Sequence, residues 1–199
     1  MRRPKNTIML TLLLAAACLT FTSCLGGDDD DSKLTQEKLN EAMAVISGSY
    51  RSTVYFEDGK GVDSLENVTL GVSNEGLFVD NFPLAAFATS VQGNDSVQAG
   101  LRRGGNIHLN AGMAFYELES DYYFTLSPAT TTAKIYYGGT EHELQFTFSN
   151  DVLGSAGVYN KEKKNLELMF GIQRILLDNR MDLLSGKAII QIKSKNKFS

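Results

Sequence analysis

Two histidines, His108 and His142, carry whatever imidazole chemistry this chain of 199 residues has. His142 falls on a period-2 stretch, sharing one strand face with Leu144, Phe146 and Phe148 while Glu141, Glu143, Gln145 and Thr147 take the other. An imidazole on an apolar face is expected to be a hydrogen-bonded core or rim residue. A zinc site needs three or four ligands, and no His-x-x-x-His or paired cysteine supplies them, so neither a metal nor a cofactor is expected. There is no Gly-x-Ser-x-Gly elbow, and Gly154-Ser155-Ala156-Gly157 reads as a turn or bulge. A phosphate-cradling glycine loop leading to Lys-Ser or Lys-Thr is absent too. Glu117 and Glu119, two apart on an expected strand, share a face. They form either a solvated surface or a pair of carboxylates flanking a sugar bond, and the second requires a cleft.

The tyrosines offer a binding signal instead. The adjacent pairs Tyr122-Tyr123 and Tyr136-Tyr137 must send one ring to each side of a strand. Tyr123, Tyr136 and His142 are therefore the candidate ligand-binding residues, since exposed tyrosine gives a flat amphipathic contact for a glycan or a protein partner. Ordinary strand propensity accounts for the same residues, and the absence of Trp weakens the glycan case. Catalytic residues are not expected.

The opening stretch carries different information. Arg2, Arg3 and Lys5 precede an apolar run from Thr7 to Phe21, with no acid before Asp28. This is the layout of a secretory signal, and at about fifteen residues the run is too short to span a bilayer comfortably. Small residues Thr22 and Ser23 then stand directly before Cys24, where the chain resembles a bacterial lipoprotein precursor. That resemblance implies that Cys24 is lipid-modified, becomes the first mature residue, and holds the protein on a membrane; Cys18, after Ala15-Ala16-Ala17, is the rival acceptor. Anchoring through several acyl chains is stable because each buried CH₂ contributes about 0.8 kcal/mol. Asp28, Asp29, Asp30 and Asp31 repel one another and make a solvated tether. They also resemble the export signal that sends lipoproteins of Bacteroidetes-type bacteria to the outer face of the outer membrane, which implies a surface-exposed location.

The expected organisation is a signal peptide over 1–23, a lipidated cysteine and acidic tether over 24–33, and one β-rich domain over 34–199. Loss of Arg2, Arg3 and Lys5 from the 19 basic residues leaves 16 against 23 acids, a net of −7. Four of those acids are the tether, so the folded part is close to neutral and has no electrostatic footprint for nucleic acid. With Cys24 lipidated no free thiol remains, so the fold is expected to rest on packing alone.

Leu34 to Gly48 reads as an amphipathic helix, with Thr35 as N-cap and Leu39, Ala42, Met43 and Ile46 on one face. From Ser49 the period switches to 2, giving strands over 50–56, 65–72 and 77–79, with a turn at Glu57-Asp58-Gly59-Lys60-Gly61. Pro83 to Val91 predicts a second short helix, and Asp95 to Leu101 a further helical turn or two. Strands are then expected over 113–118, 122–126, 132–137, 141–149, 152–159, 166–172 and 187–193, with a hairpin at Gly138-Gly139. A helix over 166–181 fits the spacing of Leu168, Ile172, Ile175 and Leu176 as well. Lys193, Lys195 and Lys197 read as protection of an edge strand. The sum is a mainly β (α+β) chain. About nine or ten antiparallel strands, too many for one flat layer, are expected to curl into a barrel or split into a sandwich, with a short N-terminal helix and one or two others. The leading helix, Gly48-Ser49-Tyr50 and Phe82-Pro83 on a β-rich body resemble small uncharacterised Bacteroidetes lipoprotein domains, a resemblance that implies no known activity.

Overall fold

The computed structural model describes residues 34–57, 61–184 and 188–198. The signal segment, Cys18, Cys24 and Asp28, Asp29, Asp30 and Asp31 lie outside the described residues, as do Asp58, Gly59, Lys60 and Lys187.

The chain begins its described course with helix α1 (Gln36–Ile46), whose Thr35 side chain accepts the Lys38 N–H and whose Ala42 and Ile46 are fully buried. At Gly48 the φ of 140° turns the backbone into the first strand. Eleven strands follow among the described residues, all paired antiparallel. They are β1 (Gly48–Glu57), β2 (Val62–Ser73), β3 (Gly76–Pro83), β4 (Asn106–Glu117), β5 (Tyr122–Pro128) and β6 (Thr131–Tyr137), then β7 (Thr140–Phe148), β8 (Ser155–Asn160), β9 (Asn165–Leu177), β10 (Met181–Asp182) and β11 (Ala188–Lys197). Eight of them, in the order β1-β2-β3-β4-β5-β8-β9-β11, close into a barrel, because β11 pairs with β9 on one side and with β1 on the other. The barrel resolves the expected choice against a sandwich.

Strand β9 is the axis of what remains. One of its edges receives β8 along its first half and β7 along its second, and the other receives β11 and then β10. Its second half thus carries the β6–β7 hairpin and β10 out of the barrel as a short sheet. This pairing also settles the helix alternative over 166–181. Leu166, Leu168, Phe170 and Ile172 alternate into the core, and their backbone groups are taken up by neighbours on both sides.

An eight-stranded barrel is just wide enough for side chains to fill it. Here Tyr50, Leu70, Val79, Phe82, Phe124, Leu126, Leu166 and Ile192 are among those that do. Between β3 and β4 the chain forms a 3-10 helix (Leu84–Ser90) and then helix α2 (Asp95–Arg103), where the sequence predicts a helix and a helical turn. The Asn94 side chain caps α2 by accepting the Val97 N–H. The 3-10 helix drives Phe87 between Phe82, at 5.3 Å, and Phe146 of the projecting hairpin, at 4.2 Å between ring centroids. The hairpin is thereby packed into the same core as the barrel.

Three expectations need correction. The Lys193–Lys195–Lys197 face lies on an edge only in part, since β11 is paired on both sides at Lys193 and with β1 alone beyond it; Lys193 and Lys195 meet Glu167 and Glu66 at 3.0 Å each. Glu119 lies beyond the end of β4, so it does not share a strand face with Glu117, and its carbonyl accepts from the Lys161 ammonium. Gly154-Ser155-Ala156-Gly157 is mostly strand: Ser155 opens β8, and its buried hydroxyl accepts the Gly171 N–H at 3.4 Å.

Candidate functional site

With the interior occupied by side chains, the outer wall of the barrel is where a ligand can be met. On β2, β3 and β4 the alternate positions that face outward include Gly71, Phe78, Asp80, His108, Asn110 and Gly112, because their neighbours Leu70, Leu77, Val79, Leu109 and Ala111 fill the core. Phe78 stands opposite Asn110 on β4 and opposite Gly71 on β2. A Cβ built on Gly71 would lie 2.0 Å from Phe78 Cζ and 2.4 and 2.5 Å from its Cε atoms. The ring therefore lies flat on the backbone of Gly71, a place only glycine leaves open.

His108 extends that surface. Its ring is 6.1 Å from the Phe78 ring centroid with only 20° between the planes. At that separation the two rings are offset neighbours rather than a face-to-face stack. The imidazole is held at both nitrogens, Nδ1 by Asp80 Oδ1 at 2.5 Å and Nε2 by the Asn110 side chain at 2.7 Å. Next to this plate an open groove of about 320 Å³ runs between the β2–β3 turn and the end of β5, lined by Ser73, Glu75, Phe78, Asn110, Gly112 and Ser127 among others.

The second histidine sits at the tip of the hairpin. His142 faces the core side as expected, its ring stacked on Tyr137 at 4.0 Å and 15°. Asp178 Oδ2 lies 2.9 Å from His142 Nδ1, and Asp178 Oδ1 accepts the Glu143 N–H at 3.0 Å. The histidine contact first, and then the backbone N–H, hold the Asp178 carboxyl below its ordinary range. Asp178 itself has a left-handed φ of 50° and closes the turn after β9. The cluster thus ties this turn to β7.

Neither Tyr123 nor Tyr136 joins that cluster. Tyr136 points to the opposite face of the hairpin, 65% exposed, with its hydroxyl donating to the Gly139 carbonyl at 3.0 Å. Tyr123 is on the barrel wall, its ring 6.2 Å from Tyr116, and burial, then Asp121 and Glu117, push its phenol upward. Each tyrosine pair does split as expected: Tyr122 turns inward against Phe115 and Tyr159, and Tyr137 onto His142. The structure does not bring Tyr123, Tyr136 and His142 together, and none of them lines the groove. Sequence reasoning missed Phe78, Asp80 and Asn110. The available signal was Gly71, an isolated glycine in a strand pattern. Among the described residues no group of three or more His, Cys, Asp or Glu side chains is placed to hold a metal ion.

The family described as "Domain of unknown function (DUF4840)" matches residues 45–177, two thirds of the chain, and the protein belongs to it. The matched span runs from the end of α1 to the end of β9 and holds the groove, both histidines and Asp80, but stops one residue short of Asp178. It stops before β11, the strand that closes the barrel. No curated protein and no solved structure matches the chain.

Proposed function

We propose that this protein is a non-catalytic, lipid-anchored lipoprotein of the bacterial outer membrane that binds a ligand on the outer wall of its barrel. One observation carries the binding part. A closed, side-chain-filled barrel leaves its polar recognition groups outside, and Phe78, Asp80, His108 and Asn110 converge there beside an open groove. The anchor rests on the sequence: a short apolar run, Thr22-Ser23-Cys24, and four aspartates in a row. Asp28 to Asp31 serve as tether and surface-export signal.

The test is photo-crosslinking in intact cells, with p-benzoylphenylalanine incorporated at Ser127 in the groove or at Thr132 on β6. Binding on the wall predicts an adduct from Ser127 and none from Thr132. Adducts from Thr132 alone would refute it. For the anchor, Cys24→Ala is expected to release the protein from the membrane fraction, and full retention contradicts it.

A further inference from the structure

We infer that the ligand of this wall is a neutral saccharide, one or two pyranose rings seated on the plate that Phe78 and His108 form together. The inference rests on the outer-wall reading above and names the ligand class for the same groove.

Four features argue for it. First, the plate is flat and apolar on the side turned away from the barrel. Phe78 lies against Gly71, and the His108 ring stands 6.1 Å away with 20° between the two planes. One face of a pyranose carries several C–H groups whose slight positive charge suits the electron-rich face of an aromatic ring. Second, the plate is rimmed by groups that suit hydroxyls. Asp80 and Glu75 carboxylates accept, the Asn110 amide both accepts and donates, and Ser73 and Ser127 do either. Third, these groups are set in place before any ligand arrives. His108 is fixed at both ring nitrogens, so little side-chain freedom is lost on binding. Fourth, the groove volume of about 320 Å³ lies at the low end of the range for small-ligand sites, which fits one or two rings.

Charge argues against anionic competitors, and strand pairing against a peptide at Phe78. Glu75 and Asp80 present carboxylates, and no Lys or Arg among the described residues lines the groove, so an anionic sugar or a phosphate meets repulsion. An extended peptide is commonly taken up by a free strand edge through its backbone. Here β3 is paired on both sides from Leu77 to Val79, so the Phe78 plate offers a side chain and no free backbone, while β4 pairs β3 up to Ala111 and β5 from Ala111 onward.

The test is a nuclear magnetic resonance titration of the full chain in detergent micelles. The probes are the methyl β-pyranosides of glucose, galactose and N-acetylglucosamine, with glucuronate as the anionic comparison. At least one neutral probe is expected to give saturable shifts centred on residues 73–80 and 108–112, with glucuronate at least tenfold weaker. Phe78→Ala should weaken the neutral probe at least tenfold, whereas Phe78→Tyr, which keeps the flat ring, should retain it. Asp80→Asn should narrow the gap to glucuronate. Absence of saturable shifts with every neutral probe, shifts centred on His142, or unchanged affinity in Phe78→Ala overturns the inference. A protein adduct from Ser127 together with no saccharide response sinks the saccharide and leaves the outer-wall reading standing. No adduct from Ser127 at all removes both.

Discussion

Two glycine-to-alanine substitutions, Gly71→Ala and Gly157→Ala, separate the outer wall from the core. Both glycines sit inside strands beneath an aromatic ring. At Gly157 the new Cβ would lie 2.2 Å from Phe124 Cε2 and 2.8 Å from Leu168 Cδ2. Phe124 is fully buried and Leu168 is 2% exposed, so neither side chain has anywhere to go. Overpacking of this kind costs about 1–3 kcal/mol, and each kcal/mol lowers the Tm by about 2–4 °C for a domain of this size. At Gly71 the clash is with the far end of Phe78, which swings outward. The displaced rotamer costs about 0.5–1.5 kcal/mol, and alanine's advantage over glycine in a strand returns about 0.5–1 kcal/mol. Gly71→Ala is therefore expected to leave stability within about 1 kcal/mol of the parent while tilting the Phe78 ring off the sheet. Urea unfolding of both variants, with a pyranoside titration of Gly71→Ala, checks the two halves together. The reasoning is refuted if Gly71→Ala is as destabilising as Gly157→Ala, or if it keeps full saccharide affinity with the ring displaced.

Other substitutions probe other parts of the account. Phe87→Ala, which empties the contact joining the barrel to the projecting hairpin, is expected to cost about 3–5 kcal/mol in denaturant unfolding. The Ser52 and Thr53 hydroxyls are buried without hydrogen-bond partners among the described residues where β1 shifts register against β2 and β11, so Thr53→Val should be neutral or stabilising by about 1 kcal/mol. Burial, and then Tyr159, push the Tyr50 phenol far above its ordinary range, and its hydroxyl donates to the Ile46 carbonyl at 2.6 Å. With the folded value raised, this stabilisation is full below about pH 10, the unfolded value, and is lost as pH rises beyond it. Tyr50→Phe should flatten the alkaline limb of a stability profile. Asp178 runs the other way: its carboxyl is held below the usual range, so its contribution is present above about pH 4 and fades as pH falls further. Asp178→Asn should remove that acid dependence.

Much of the fold was written in local patterns. Thr35, Leu39, Ala42 and Ile46 announce α1, and the alternation around His142 places it on the core side, because a cap and a period need only neighbouring residues. The first half of β4 was harder. Ile107, Leu109 and Ala111 alternate inward, but Asn106, Asn110 and Gly112 around them carry poor strand propensity, and the sequence assigns no element there before the strand expected from residue 113. Closure of the barrel was not legible, since it depends on β11 reaching both β1 and β9, pairings more than a hundred residues apart in the first case. The binding plate failed for the same reason. Phe78, Asp80, His108 and Asn110 come together through the β3–β4 register, which passes over the two helical segments between residues 84 and 103. Tyr136, chosen for exposure, is exposed, yet a single ring on a hairpin face makes no site without a neighbour.

The most direct measurement is the position of a bound saccharide in a crystal structure of the protein soaked with the neutral pyranoside that titrates best. The account predicts a sugar ring parallel to Phe78 and His108, with its hydroxyls within hydrogen-bond reach of Asp80 and Asn110. A ring inside the barrel, or one seated at Tyr137, His142 and Asp178, contradicts it.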